Sequence, residues 1–239
     1  MRRISEILLW TGLFAIAMAF LESAVVVYLR ALYYPEGFLF PLKMMDQRVL
    51  LTEIIREAAT MVMLLTIGIM TVKDGLSRFA VFIYAFAIWD IFYYIYLFLL
   101  LGWPPSLLTW DVLFLIPVTW AGPVIAPVIN SFTMIVLAVI ILHYRRKEGT
   151  FRLTFQEWLL LITGSLIVIL AYTRPYLEYI LSRYSFSEML HFTGNTKLIE
   201  YAAGFVPVHF SWVTYSFGQL LFFVTIALMI KRMKRAKPD

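Results

Sequence analysis

Glu53, Arg56, Glu57 and Thr60 recur at i, i+3, i+4 and i+7 inside an apolar segment. On a helix that spacing puts two carboxylates, a guanidinium and a hydroxyl on one face. A charge facing hydrocarbon costs at least about 2–3 kcal/mol, so these groups must face protein or trapped water and carry partners. Three more ionisable residues, Glu22, Asp90 and His209, lie in or beside other apolar segments. Together the six residues Glu22, Glu53, Arg56, Glu57, Asp90 and His209 form the candidate substrate- or ion-binding set. Carboxylates held in a membrane interior bind and release protons, or supply oxygen ligands to a hard cation. Each also has a structural reading. Arg56 pairs with Glu53 on its own helix, and Glu22 or Asp90 supplies the far partner from a neighbouring helix. His209 is a hydrogen-bonded residue at the membrane interface. Asp111, in the first turn of a short helix, favours the helix dipole.

Several chemistries find no support in the residue pattern. The chain has no cysteine, which removes disulfides, thiolate metal sites and iron–sulfur clusters. His143 and His209 fall at opposite ends of their segments, which speaks against a bis-histidine haem. Phosphate-binding loops, dinucleotide fingerprints, zinc-protease motifs, a serine nucleophile elbow and the ferritin-type Glu-x-x-His pair are absent from the sequence. The catalytic residues, metal and cofactor therefore stay unassigned.

What positions the candidates is a membrane. The chain has 239 residues and is 62% apolar, against about 45–50% in soluble domains. Its mean hydropathy is +0.83. Residues 1–239 read as a single transmembrane domain of the all-α class, a polytopic helical bundle. Six spans are expected at about 7–29, 49–72, 79–101, 124–144, 156–172 and 206–230. The 37 apolar residues from Leu107 to His143 are too many for one span and too few for two with a loop. Pro117, Gly122, Pro123 and Pro127 break them. A re-entrant or interfacial half-helix is therefore expected at 107–121, turning at Trp120–Pro123 against the Glu53 and Glu57 face. Leu177, Ile180, Leu181 and Tyr184 follow a helical spacing that predicts an amphipathic helix over 175–191 on the outer surface.

Charge sets the expected orientation. With both termini cytoplasmic, 13 of the 20 Lys and Arg fall on the inner side, from Arg2 to Lys237. That agrees with the positive-inside rule for a multi-pass protein of the cell membrane. The net charge of +5 belongs to these flanks, so nucleic acid is not an expected partner. The expected partners are the lipid bilayer and, if the charges serve assembly, further copies or a larger membrane complex.

In this frame Glu53 and Glu57 lie roughly 6 and 12 Å below the outer start of their span, and Glu22 roughly 8 Å from the outside. The inner halves of the spans are almost purely apolar. Polar groups from separate spans thus converge at one depth. The pattern favours transport or binding of a proton, cation or small polar solute. A membrane-embedded metal- or quinone-dependent enzyme or redox subunit, and a non-catalytic subunit of a membrane complex, are the alternatives.

Overall fold

The structure is a computed structural model and describes residues 3–190 and 195–235, the side chain of Leu190 excepted. Six of its helices are long and apolar enough to cross a membrane: α1 (Ile4–Tyr33), α2 (Gln47–Thr71), α3 (Gly75–Leu101), α4 (Ile125–Glu148), α5 (Phe155–Leu181) and, after two short helices, α8 (Trp212–Arg235). Large apolar side chains such as Leu21, Met70, Leu166 and Phe223 point outward from them. That inversion of the soluble pattern is what a bilayer requires. The chain is an all-α, multi-pass membrane protein. Of the charges used for orientation, Arg2 and Lys237 lie outside the described residues.

Local chemistry sets the helix ends. The Asp46 carboxylate accepts the Arg48 amide at 2.8 Å, and Asp74 accepts the Ser77 amide at 3.1 Å. Thr154 and Glu157 form a reciprocal capping box at the start of α5, with bonds of 3.2 and 2.7 Å. Gly102 and Gly149 end α3 and α4 with φ of 63° and 55°, a region that favours glycine.

The helices fall into two groups. α3 packs against α1, α2 and α4, whereas α5 packs against α8. The second pair approaches closely at two glycines. A Cβ on Gly218 would sit 2.6 Å from Val168 Cγ2 and 3.0 Å from the Gly164 carbonyl oxygen. α4 bridges the groups through lighter contact with α8.

The segment expected as a half-helix is a β-hairpin. β1 (Trp110–Phe114) pairs antiparallel with β2 (Trp120–Pro123), with Asp111 opposite Gly122 and Phe114 opposite Trp120. The turn is 115–119, so Trp120–Pro123 is the returning strand and not the turn. Aromatic and β-branched residues disfavour helix here, and Pro117 lacks the amide a helix would use. Backbone buried among helices must find its own partners. The ladder supplies them, continued by Val124 N to Thr109 O at 3.0 Å and Ile125 N to Leu107 O at 2.8 Å. The segment enters the bundle and turns back without crossing, as expected.

The separate amphipathic helix over 175–191 is also corrected. α5 runs unbroken through Pro175 to Leu181, and only α6 (Phe186–Leu190) follows; residue 191 lies outside the described residues. The helical spacing was real, but Ile180 is buried against Leu198 of α7 (Thr196–Ala203) and Met189 of α6. Tyr176 and Tyr179 pack on Phe205 and Tyr201. This packing carries the helix past its proline. The sixth span begins later than expected, because 206–211 is not helical.

Candidate functional site

Arg56 is the centre of a charged triad. Its Nε and Nη2 donate to Glu53 Oε2 at 2.9 and 2.6 Å, and its Nη1 pairs with Glu22 Oε1. Thr60 Oγ1 donates to the other Glu22 oxygen at 3.1 Å. Arg56 and Thr60 thereby join α2 to α1, and Glu53 braces Arg56 from within α2. Asp90, the other expected partner of Arg56, bonds elsewhere.

Glu57 holds the hairpin. Its Oε2 accepts the Leu115 amide at 2.8 Å, with the Ile116 amide beside it. Of the two carboxylates at i, i+4, Glu53 thus serves Arg56 and Glu57 serves the hairpin turn. Asp90 on α3 accepts from Ser131 Oγ on α4 at 2.8 Å. A second ion pair joins Arg30 of α1 to Asp111 of β1 at 3.7 Å, and Tyr94 donates to Asp111 at 3.3 Å. The Arg30 guanidinium lies over Trp103 at 3.8 Å and Phe38 at 4.6 Å. Asp111 therefore serves as a strand residue paired to Arg30, and not as a first-turn helix residue.

Deeper between the groups, Asn130 Nδ2 donates to the Tyr172 hydroxyl at 2.8 Å, and Tyr215 donates to the Ala126 carbonyl at 2.7 Å. Gln219 bonds Tyr215, Asn130 and Thr133. Asn130 and Gln219 thus join α4 to α5 and α8.

These elements surround one groove of about 620 Å³. It runs between α2 and α3 on one side and α5 on the other, with α4 behind and the hairpin across it. Glu57, Asp90, Trp89, Asn130 and Tyr172 line it together with the hairpin residues Phe114, Leu115 and Trp120. Towards the terminal end of the bundle its walls are Phe79, Phe82, Ile83, Leu137, Leu161 and Phe222. Aromatic rings form a rib over the polar part. Phe114 lies 6.3 Å from Trp89 and 5.7 Å from Trp120, and Trp120 stacks on Tyr172 at 6.1 Å with 16° between planes.

The structure thus brings five of the six candidates (Glu22, Glu53, Arg56, Glu57 and Asp90) to one groove. His209 is exposed, sits in the loop before α8 and does not line the groove. Among the described residues no three His, Asp or Glu side chains converge as a metal site. The sequence does not single out Arg30, Trp89 and Tyr172 as groove residues, whereas Trp120, expected against the Glu53 and Glu57 face, does line the groove. Arg30 reads as a loop flank, and Trp89 and Tyr172 carry no signal beyond their place in apolar spans. No family model, curated protein or solved structure matches this chain.

Proposed function

We propose that the protein binds an amphipathic molecule drawn from the bilayer, with its polar end near the hairpin and its apolar body between α3, α4 and α5. The observation that carries this reading is the grading of one continuous groove. Along α5 the lining runs from Ile180 to Leu161, a rise of roughly 28 Å. That nearly matches the ~30 Å of hydrocarbon in a bilayer. Charged and hydrogen-bonding residues sit at the hairpin end, and aliphatic and phenyl groups sit at the other. A cavity of about 620 Å³ falls within the roughly 300–1,000 Å³ of ordinary small-molecule sites. With the termini cytoplasmic, as the charge bias favours, the polar end faces outward.

Transport of a proton, cation or small polar solute is the second reading. Glu57 and Asp90 favour it, because both carboxylates line the groove. The apolar terminal half opposes it, since an ion crossing there meets only neutral hydroxyls such as Ser165 among apolar walls, too few to replace its water. A cysteine at Ser165, which lines the groove, tests the first reading, and the chain has no native cysteine to interfere. Membrane-soluble amphipaths should slow maleimide labelling there, and labelling unaffected by any amphipath would overturn the proposal.

A further inference from the structure

We infer that the head group taken by this groove is a neutral hydroxyl, so that the ligand is a long-chain or polycyclic alcohol rather than a phosphate or an ammonium amphipath. The inference rests on the groove reading above and concerns only the polar end.

The donor and acceptor inventory decides it. The arginines are committed within the chain. Arg56 lies between Glu22 and Glu53, and Arg30 pairs with Asp111. Neither guanidinium is left to neutralise a phosphate. Glu57 is engaged by the amides of the hairpin turn. Asp90 has one oxygen taken by Ser131, and a carboxylate offers further lone pairs on the other. Beside it in sequence, Trp89 is 5% exposed, and its indole nitrogen has no hydrogen-bond partner. Trp120, across the Phe114 ring, has an unpartnered buried indole nitrogen as well. Both rings and Asp90 line the groove. A buried donor left without an acceptor is unfavourable by roughly 1–3 kcal/mol, so these two nitrogens point to something that accepts.

The head must therefore donate to a carboxylate and accept from indole N–H groups. An ammonium or quaternary amine has no lone pair for the indoles. A phosphate dianion has no proton for Asp90 and is repelled by it. A hydroxyl does both with one oxygen. It also enters a groove that is mostly apolar without the desolvation cost of a charge.

The test uses the full-length protein in nanodiscs and a set of probes that share one tail: hexadecanol, hexadecyl methyl ether, hexadecyl phosphate and hexadecyltrimethylammonium. Affinities are measured by native mass spectrometry. Hexadecanol should bind at least about tenfold more tightly than either charged probe. The methyl ether, which keeps the acceptor and loses the donor, should be weaker by about fivefold, the equivalent of one ordinary hydrogen bond. Trp89→Phe should weaken hexadecanol by a similar factor and leave the tail contribution, read from hexadecane, unchanged. If all probes bind equally, or a charged probe binds best, the hydroxyl inference is overturned while the groove reading stands. If no probe binds, both fall. The wild-type comparison between alcohol and ether holds even if Trp89→Phe fails to fold.

Discussion

The charged contacts around the hairpin and the close-packed contact between α5 and α8 hold the bundle by different forces. At the hairpin end, helices meet through charges: α1 to α2 through Glu22 and Arg56, α2 to the hairpin through Glu57, and α1 to the hairpin through Arg30 and Asp111. Away from the hairpin, α5 and α8 meet through close backbone approach at Gly164 and Gly218, and the Arg232–Glu157 pair at 3.0 Å ties their terminal ends. Glycine contacts gain dispersion over a broad surface and tolerate small slips poorly. Ion pairs reach across wider separations and leave space between backbones. The hairpin end can therefore enclose a groove with polar walls, whereas the glycine contact closes tightly.

Substitutions sharpen that contrast. Arg56→Leu should have the largest effect, because it leaves Glu22 and Glu53 buried without their cation. A loss of about 3–5 kcal/mol is expected, seen as a sharp drop in melting temperature in detergent. Removing the stranded charges in Arg56→Leu/Glu53→Gln/Glu22→Gln should recover part of it. A single-variant melting temperature equal to wild type would mean that the triad does not join α1 to α2. Gly218→Ala tests the other force. Its new methyl meets Val168 and the Gly164 carbonyl, and overpacking of this kind is unfavourable by about 1–3 kcal/mol. An unchanged melting temperature would show that α5 and α8 separate easily.

Glu57→Gln should have a smaller effect, about 1 kcal/mol, because the amide oxygen still accepts from Leu115 but without charge. Its signature is local: a cysteine at Val118, on the turn, should label faster in the variant than in wild type. Equal rates would mean that Glu57 does not hold the turn. Asp74→Asn comes last. Burial raises the Asp74 carboxyl, but hydrogen bonds from Ser77 and the charge of Arg145 outweigh it, so it sits below its ordinary value. The stabilisation is then fully present above about pH 4 and fades as pH falls through the lower folded value. The pair with Arg145, at 3.1 Å and partly exposed, should contribute about 0–1 kcal/mol at neutral pH. A pH-melting profile in which Asp74→Asn and wild type differ more at pH 3 than at pH 7 would contradict this.

The spans were legible in the sequence because each is an apolar run long enough to cross a bilayer, bounded by caps, glycines or charges. The pairing of Arg56 with Glu53 and Glu22 was legible too, since a buried guanidinium demands carboxylates and few were at the right depth. The hairpin was less so. Its apolar composition fits helix and strand alike, and the distinguishing signal was the clustering of aromatic and β-branched residues around Pro117. The end of α5 is not legible, because Pro175 is tolerated once Ile180 packs on Leu198 of α7, a long-range contact with no local signature. His209 was placed by depth along a helix that in fact begins later, at Trp212. The groove itself is hidden in the sequence, because nothing in it shows that Trp89 and Tyr172 share a cavity until the hairpin folds between them.

The most direct measurement concerns what occupies the groove. Ser165 lines it from α5 with an exposed side chain, so Ser165→Trp fills the groove without disturbing a packed interface. Native mass spectrometry of the purified protein should show wild type retaining a bound amphipath and Ser165→Trp, with an unchanged melting temperature, losing it. Equal retention by the two proteins, or no retained amphipath on wild type under any lipid composition, would contradict the groove as a binding site.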